Sequence, residues 1–329
     1  MRNAIIRATG MYAPDWVLPN SYFNELLGED VDTWLRENLT IRQRHWCREN
    51  ESTADLCVAA AKRTLQNAGI SADKLDLIII ATDTPEYISP STASVVQQRL
   101  AARSAGTFDL NTACAGFVTA LDVGSKYIIA DKRYRHVLVV GAYAMSKYLD
   151  KSDKKTVTLF ADGAGAVLLS SEENSPRGYL TGDLLTEGQY HDWMGIYAGG
   201  TRQPITLEVL QRNDHRLKFV RKFPKELNSQ KWKQMINTMA ARLQIRPHQV
   251  DHYFFTQINI NSIYQTLDEL GVPRDRAHTI MDRYGYTGSA CIPMALADAV
   301  EAGKVSRGEL IFFIGSGGGL AFAAAAFRF

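Results

Sequence analysis

The stretch TFDLNTACAGFVTAL (107–121) decides the fold. A β-rich run, Thr107 to Asn111, gives way within a few residues to small and apolar side chains at helical spacing. A strand therefore leads into a helix through a turn that holds Cys114. A second stretch, GSACIPMAL (288–296), echoes that pattern around Cys291, which the spacing places on a helix as a core residue. Such an echo predicts two copies of one α/β unit. Outward from the first copy, STAD (52–55) offers an N-cap, apolar residues from Leu56 to Ala68 keep helical spacing, and Gly69 stands at the C-cap, so a helix is predicted over 53–68. LDLIIIA (75–81) reads as a strand covered on both faces. A helix follows Pro90 to about Arg103, and HVLVVGA (136–142) reads as the next strand. VTLF (157–160) and AVLLS (166–170) read as a hairpin around DGAG (162–165). The order then returns: helix 229–243, strand 251–256, helix 259–270, a helix from 288, strand 309–315, and a closing strand in AFAAAAF (321–327). The fold class predicted is α/β with two pseudo-repeated halves, 1–172 and 173–329. Loops at about 173–228 have no clear period and are expected, with 80–100, to shape an apolar pocket through Tyr87, Ile88, Trp193, Met194 and Ile196.

The chain has 329 residues, 46% hydrophobic and 22% charged, with a formal net charge of +2. That balance belongs to a globular protein and gives no electrostatic reason for nucleic-acid or membrane partners. No signal peptide and no membrane span of about 20 apolar residues is read from it, so a cytoplasmic location is predicted. Cys47, Cys57, Cys114 and Cys291 lack CxxC spacing, which predicts reduced thiols and no metal site.

Cys114 lies at the start of a helix rich in small residues. Unpaired amides and the positive end of the helix dipole there favour thiolate, so the expected chemistry is nucleophilic. ACAGF (113–117), FADGAGAVL (160–168), YGYTGSACIP (284–293) and SGGG (316–319) resemble the β-ketoacyl-acyl carrier protein synthase III family, in the family's order and across nearly the whole chain from TWLRENLTIRQR (33–44). The resemblance implies the thiolase fold in layered α-β-α-β-α form, a homodimer, an acyl thioester on Cys114, and acyl-CoA or an acyl carrier protein as substrate with no permanently bound cofactor. It also makes DGAG a tight turn.

In that family a His and an Asn assist decarboxylation of a malonyl thioester. Where the family has HisGlnAlaAsn this chain has TQIN (256–259), and where it has an Asn after TyrGly this chain has YGYT (284–287). The resemblance therefore puts Thr256 and Tyr286 in the His and Asn places, while Asn259 matches. Each replacement can donate one hydrogen bond, but neither is an acid or base near neutral pH. Losing one oxyanion donor costs about 10²–10³ in rate, so malonyl decarboxylation is expected to be impaired. The oxyanion hole implied is the amides of Cys114 and Gly318. His191, beside Asp192 in YHDW (190–193), is the candidate base, because an imidazole titrates near ~6.5; His252 is too far along its strand. Trp34 stands where the family stacks on adenine. Lys154 and Asn38 stand where it has Arg, so a carrier-protein donor gains on free CoA. The first expectation is an acyltransferase of specialised metabolism that delivers the acyl group to an acceptor. Alternatives are a condensing enzyme with a non-standard triad and a non-catalytic partner subunit, which would have no need of Cys114.

Overall fold

The computed structural model describes residues 2–329. In chain order the first half runs β1 (Arg2–Tyr12), β2 (Trp16–Pro19), α1 (Asn20–Leu27), α2 (Asp32–Leu39), β3 (Gln43–Trp46), α3 (Thr53–Ala68), β4 (Leu77–Ala81), α4 (Thr92–Leu100), β5 (Gly106–Leu110), α5 (Gly116–Ala130), β6 (His136–Ala144), α6 (Lys154–Val157) and β7 (Asp162–Glu173). The second runs β8 (Gly178–Thr186), β9 (Met194–Gly195), α7 (Leu207–Gln211), β10 (Lys218–Phe219), α8 (Leu227–Arg242), β11 (His252–Phe255), α9 (Ile260–Glu269), α10 (Met281–Tyr284), α11 (Cys291–Glu301), β12 (Leu310–Gly317) and β13 (Ala321–Arg328).

Two sheets carry the duplication. The first has strand order β1-β7-β6-β4-β5 and the second β8-β13-β12-β11. β4 is parallel to β5 and β6, β11 is parallel to β12, and the other neighbours are antiparallel. The counterpart of β5 shrinks to a single bridge between Tyr253 and Ala277. α5 packs on β4 and β6 and also on β12 and β13, while α11 touches β1, β7 and β11, so both helices lie between the sheets. α3 and α4 cover the outer face of the first sheet, and α8, with α9 against it, covers the second. The layered thiolase-type arrangement is present.

Local chemistry explains the elements that position the site. The Ser52 amide donates to Asp55 Oδ2 (2.8 Å) at the start of α3, and Gly69 closes that helix at φ 65°. All five residues of β4 are buried, as the double-sided run requires.

Two expectations are corrected, and one apolar helix is accounted for. The predicted hairpin at 157–170 is a short helix followed by one long strand, and DGAG lies inside β7 rather than in a turn. Its glycines are there because α11 lies flat on the strand: a Cβ on Gly165 would stand 2.5 Å from Met294 N, and one on Gly163 2.6 Å from Met294 Sδ. The region 173–228 is not all loop, since β8 is an edge strand of the second sheet. Finally, Ala113–Ala130 is apolar and long enough to cross a membrane by composition, yet 67% of it is buried, as the central α5.

Candidate active site around Cys114

The turn after β5 is built from local hydrogen bonds. Asn111 Oδ1 accepts the Ala113 N–H (2.9 Å), Thr112 O accepts Ala115 N–H (3.1 Å), and Ala113 O accepts Gly116 N–H (2.9 Å). Ala113 takes φ 46°, a left-handed conformation costing a non-glycine residue about 1–2 kcal/mol. Cys114 thus stands two residues before α5. A Cβ on Gly116 would come 3.2 Å from Ala81 Cβ, so the first turn of α5 rests on β4. From the other sheet, a Cβ on Gly317 would fall 2.5 Å from Cys114 N and 2.6 Å from Thr112 O, so only a bare backbone fits there. The SGGG run is the seat of the cysteine turn.

Cys114 is 2% exposed. Burial pushes its thiol well above the usual thiol range, the Asp83 charge adds to the push, and a hydrogen bond from the Tyr286 hydroxyl opposes it. Desolvation therefore acts against the thiolate that the helix start was expected to favour. Tyr286 is held on both sides by Leu159 O, which accepts its N–H (3.0 Å), and Ala161 N–H, which donates to its carbonyl (2.9 Å). Its ring lies 5.4 Å from that of Phe160.

A narrow cavity of about 80 Å³ opens on Cys114, Tyr286, Ser316 and Gly318. Its other walls are Met194, Phe219, Phe223, Leu227, Asn228 and Ile258. Met194 was expected among these. Tyr87, Ile88, Trp193 and Ile196 are not among them, and Tyr87 and Ile88 stand 53% and 85% exposed. The contribution of 219–228 escaped the sequence reading, because those residues have no period and reach the site only through tertiary packing.

The remaining candidates disperse. Thr256 is buried, but its hydroxyl accepts the Ser316 N–H (2.9 Å) and donates to Ser316 O (3.3 Å), so it staples β11 to β12 and does not line the cavity. His191 is exposed, with Nδ1 3.2 Å from Gly188 O, and it too is absent from the lining. His252 pairs with Glu309 Oε2 (3.0 Å). Asn259 caps α9 by accepting Asn261 N–H (3.0 Å), next to Ile258 in the cavity wall. Asn261 in turn donates to Asn38 O (2.9 Å), which joins α9 to the end of α2; Trp34, in the first turn of α2, is 53% exposed. Lys154 pairs with Glu29 Oε2 (2.7 Å). Cys291 is buried at the start of α11, and desolvation raises its thiol to about 12.

Comparison with known proteins gives one family. Residues 108–188 match the family model described as 3-oxoacyl-[acyl-carrier-protein (ACP)] synthase III, and residues 235–329 match its C-terminal model. The chain is 34% identical to the beta-ketoacyl-[acyl-carrier-protein] synthase III of Xanthomonas campestris, covering 98% of each. It is also 34% identical to the same-named protein of Ruegeria pomeroyi, over 99% of this chain and 98% of the other. Among solved structures, 3-oxoacyl-[acyl-carrier-protein] synthase III from Aquifex aeolicus superposes with a TM-score of 0.87 at 30% identity, covering 99% of this chain and 100% of that one.

Proposed function

The chain belongs to the 3-oxoacyl-[acyl-carrier-protein] synthase III family, and from that premise we propose that it is an acyltransferase that carries its acyl group as a thioester on Cys114. The observation that carries this reading is the cavity on which Cys114, Tyr286 and Gly318 open together, where the Tyr286 hydroxyl acts against the upward push on the Cys114 thiol. A donor to sulfur stabilises thiolate as it attacks an acyl thioester, and again as it leaves. The amides of Cys114 and Gly318 receive the negative charge that develops on the carbonyl oxygen.

The donor is acyl-CoA or an acyl carrier protein. Trp34, Lys154 and Asn259 are assigned to its nucleotide or carrier end by their places in the family pattern alone. No permanently bound cofactor is needed, and the proposed setting is the cytoplasm. With Thr256 spent on the backbone, only Tyr286 remains of the two donors that could hold the thioester oxygen of a malonyl unit as CO2 leaves, so transfer to a hydroxyl, amine or thiol acceptor is favoured over decarboxylative condensation. A homodimer fits Tyr87 and Ile88, large apolar side chains left uncovered on the loop before α4.

Intact-protein mass after incubation with acyl-CoAs, malonyl-CoA and acyl carrier proteins tests the reading. The wild type is expected to gain one acyl mass that Cys114→Ala does not. No adduct with any donor would sink the proposal and favour a non-catalytic partner subunit. Release of a β-ketoacyl product with a malonyl donor would establish condensation instead.

A further inference from the structure

Asp83 is a carboxyl that none of these roles uses. It lies on the turn after β4, where the Thr82 N–H extends the ladder to Leu110 O (3.1 Å) and Thr84 Oγ1 accepts the Ala144 N–H (2.9 Å). The turn is thereby pinned between the end of the strand leading to Cys114 and the end of the strand carrying Tyr143. Register says which way it faces. Ala81 pairs with Leu110 and with Gly141, so Asp83 falls level with Tyr143. Strand alternation puts Leu77, Ile79 and Ala81 in the core between the sheets, with Val139, Tyr143 and Cys114, and half-buried Asp83 follows on the bend two residues beyond Ala81. Ala81 is the residue on which the first turn of α5 rests.

Asp83 Oδ1 is buried without a hydrogen-bond partner. An unpaired buried polar atom is costly, and more so when charged, so its persistence calls for a use. Desolvation raises the carboxyl to about 6. Cys114, Tyr143 and Tyr148 all feel its charge. Burial pushes Tyr286 and Cys291, which also act on Cys114, upward, Cys291 to about 12, away from the range in which Asp83 takes a proton.

We propose that Asp83 is the proton acceptor for the Cys114 thiol during acyl loading and the donor to the departing carrier thiol. The proposal rests on the reading that Cys114 is acylated. The two groups share no direct hydrogen bond, and the proposal includes a relay through one water between them. The S–H bond breaks and the proton passes through that water to the Asp83 carboxylate. The thiolate sulfur bonds to the acyl carbonyl carbon, the carbon–sulfur bond to the carrier breaks, and the carrier sulfur takes the proton back from Asp83.

The test compares two rates at Cys114 in the wild type, Asp83→Asn and Asp83→Glu: single-turnover loading from the acyl donor, and alkylation by iodoacetamide mapped to the Cys114 peptide. Alkylation needs only preformed thiolate, and a carboxylate nearby disfavours thiolate, so Asp83→Asn is expected to alkylate as fast as wild type or faster. Loading is expected to fall by roughly 10²–10⁴-fold, the usual contribution of a positioned base, and Asp83→Glu to recover part of it. Loading in Asp83→Asn at or above the wild-type rate would overturn the proposal, since the carboxylate would then only burden the thiolate. A parallel loss of both rates would also overturn it, as distortion of the site. An adduct that forms slowly but completely in Asp83→Asn keeps the acyl-enzyme reading, whereas no adduct in the wild type removes that reading and the proposal with it. Should Asp83→Asn fail to fold, Asp83→Ser carries the same expectations with less bulk.

Discussion

Two hydroxyls flank the cysteine turn, and they are spent differently: Tyr286 on the Cys114 sulfur, Thr256 on the Ser316 backbone. Tyr286→Phe leaves the ring on Phe160 and removes only the donor. A hydrogen bond to a charged group contributes about 1.5–3 kcal/mol, so acyl loading is expected to slow roughly 10- to 100-fold with the melting temperature nearly unchanged. Thr256→Val should do the reverse. It leaves a buried N–H unpaired, destabilising the protein by about 1–3 kcal/mol, while the loading rate of the folded protein stays near wild type. Loading kinetics beside thermal unfolding check the pair; Thr256→Val loading as slowly as Tyr286→Phe at unchanged stability would make Thr256 the substrate donor its place in the family pattern suggests. Sequence alone could offer either hydroxyl as a donor, because it gives residue type and order. Which partner each hydroxyl satisfies depends on the approach of β12, 60 residues away from Thr256.

The cysteine turn and the end of β12 make one functional unit. In Gly317→Ala the new methyl would meet Cys114 N at 2.5 Å, Thr112 O at 2.6 Å and Ala115 N at 2.9 Å, all backbone. Backbone has to move, which costs about 1–3 kcal/mol as overpacking, and what moves is the nucleophile. We expect a lower melting temperature and a fall in Cys114 alkylation and loading. Gly106→Ala, whose methyl would meet Leu77 Cδ1 at 3.7 Å and Asp76 O at 3.8 Å, both ordinary contacts, is expected to lose neither. At this scale the legible elements were those with a period and a cap, such as α3 between Ser52 and Gly69, and β4 with its unbroken apolar run. The DGAG stretch misled because glycine marks both turns and close packing; Gly163 and Gly165 serve the second, under α11. Residues 219–228 carried no local signal at all, although Phe219, Phe223 and Asn228 form a cavity wall.

The repeat seen in two cysteine-centred stretches becomes two sheets that share one central layer. α5 belongs to the first half by sequence but packs on β12 and β13 of the second, and α11 of the second packs on β1 and β7 of the first. One continuous core therefore holds Ile79 and Val139 together with Tyr253, Phe313 and Ala324. A half expressed alone would expose the inner face of its sheet and one side of its central helix, both apolar, and each cysteine turn would lose the strand that seats it. Residues 1–172 alone are consequently expected to be insoluble or unfolded, by circular dichroism and amide exchange, despite having every element of an α/β unit. The intact chain should unfold in one transition, with far-ultraviolet dichroism and tryptophan fluorescence coincident, since Trp46 and Trp232 report on opposite halves of a shared core. Two separated transitions, or a folded 1–172 fragment, would mean that the halves are independent domains. The Cys114 turn, closed by Gly317 from the other half, would then be an interdomain site whose geometry could open without unfolding.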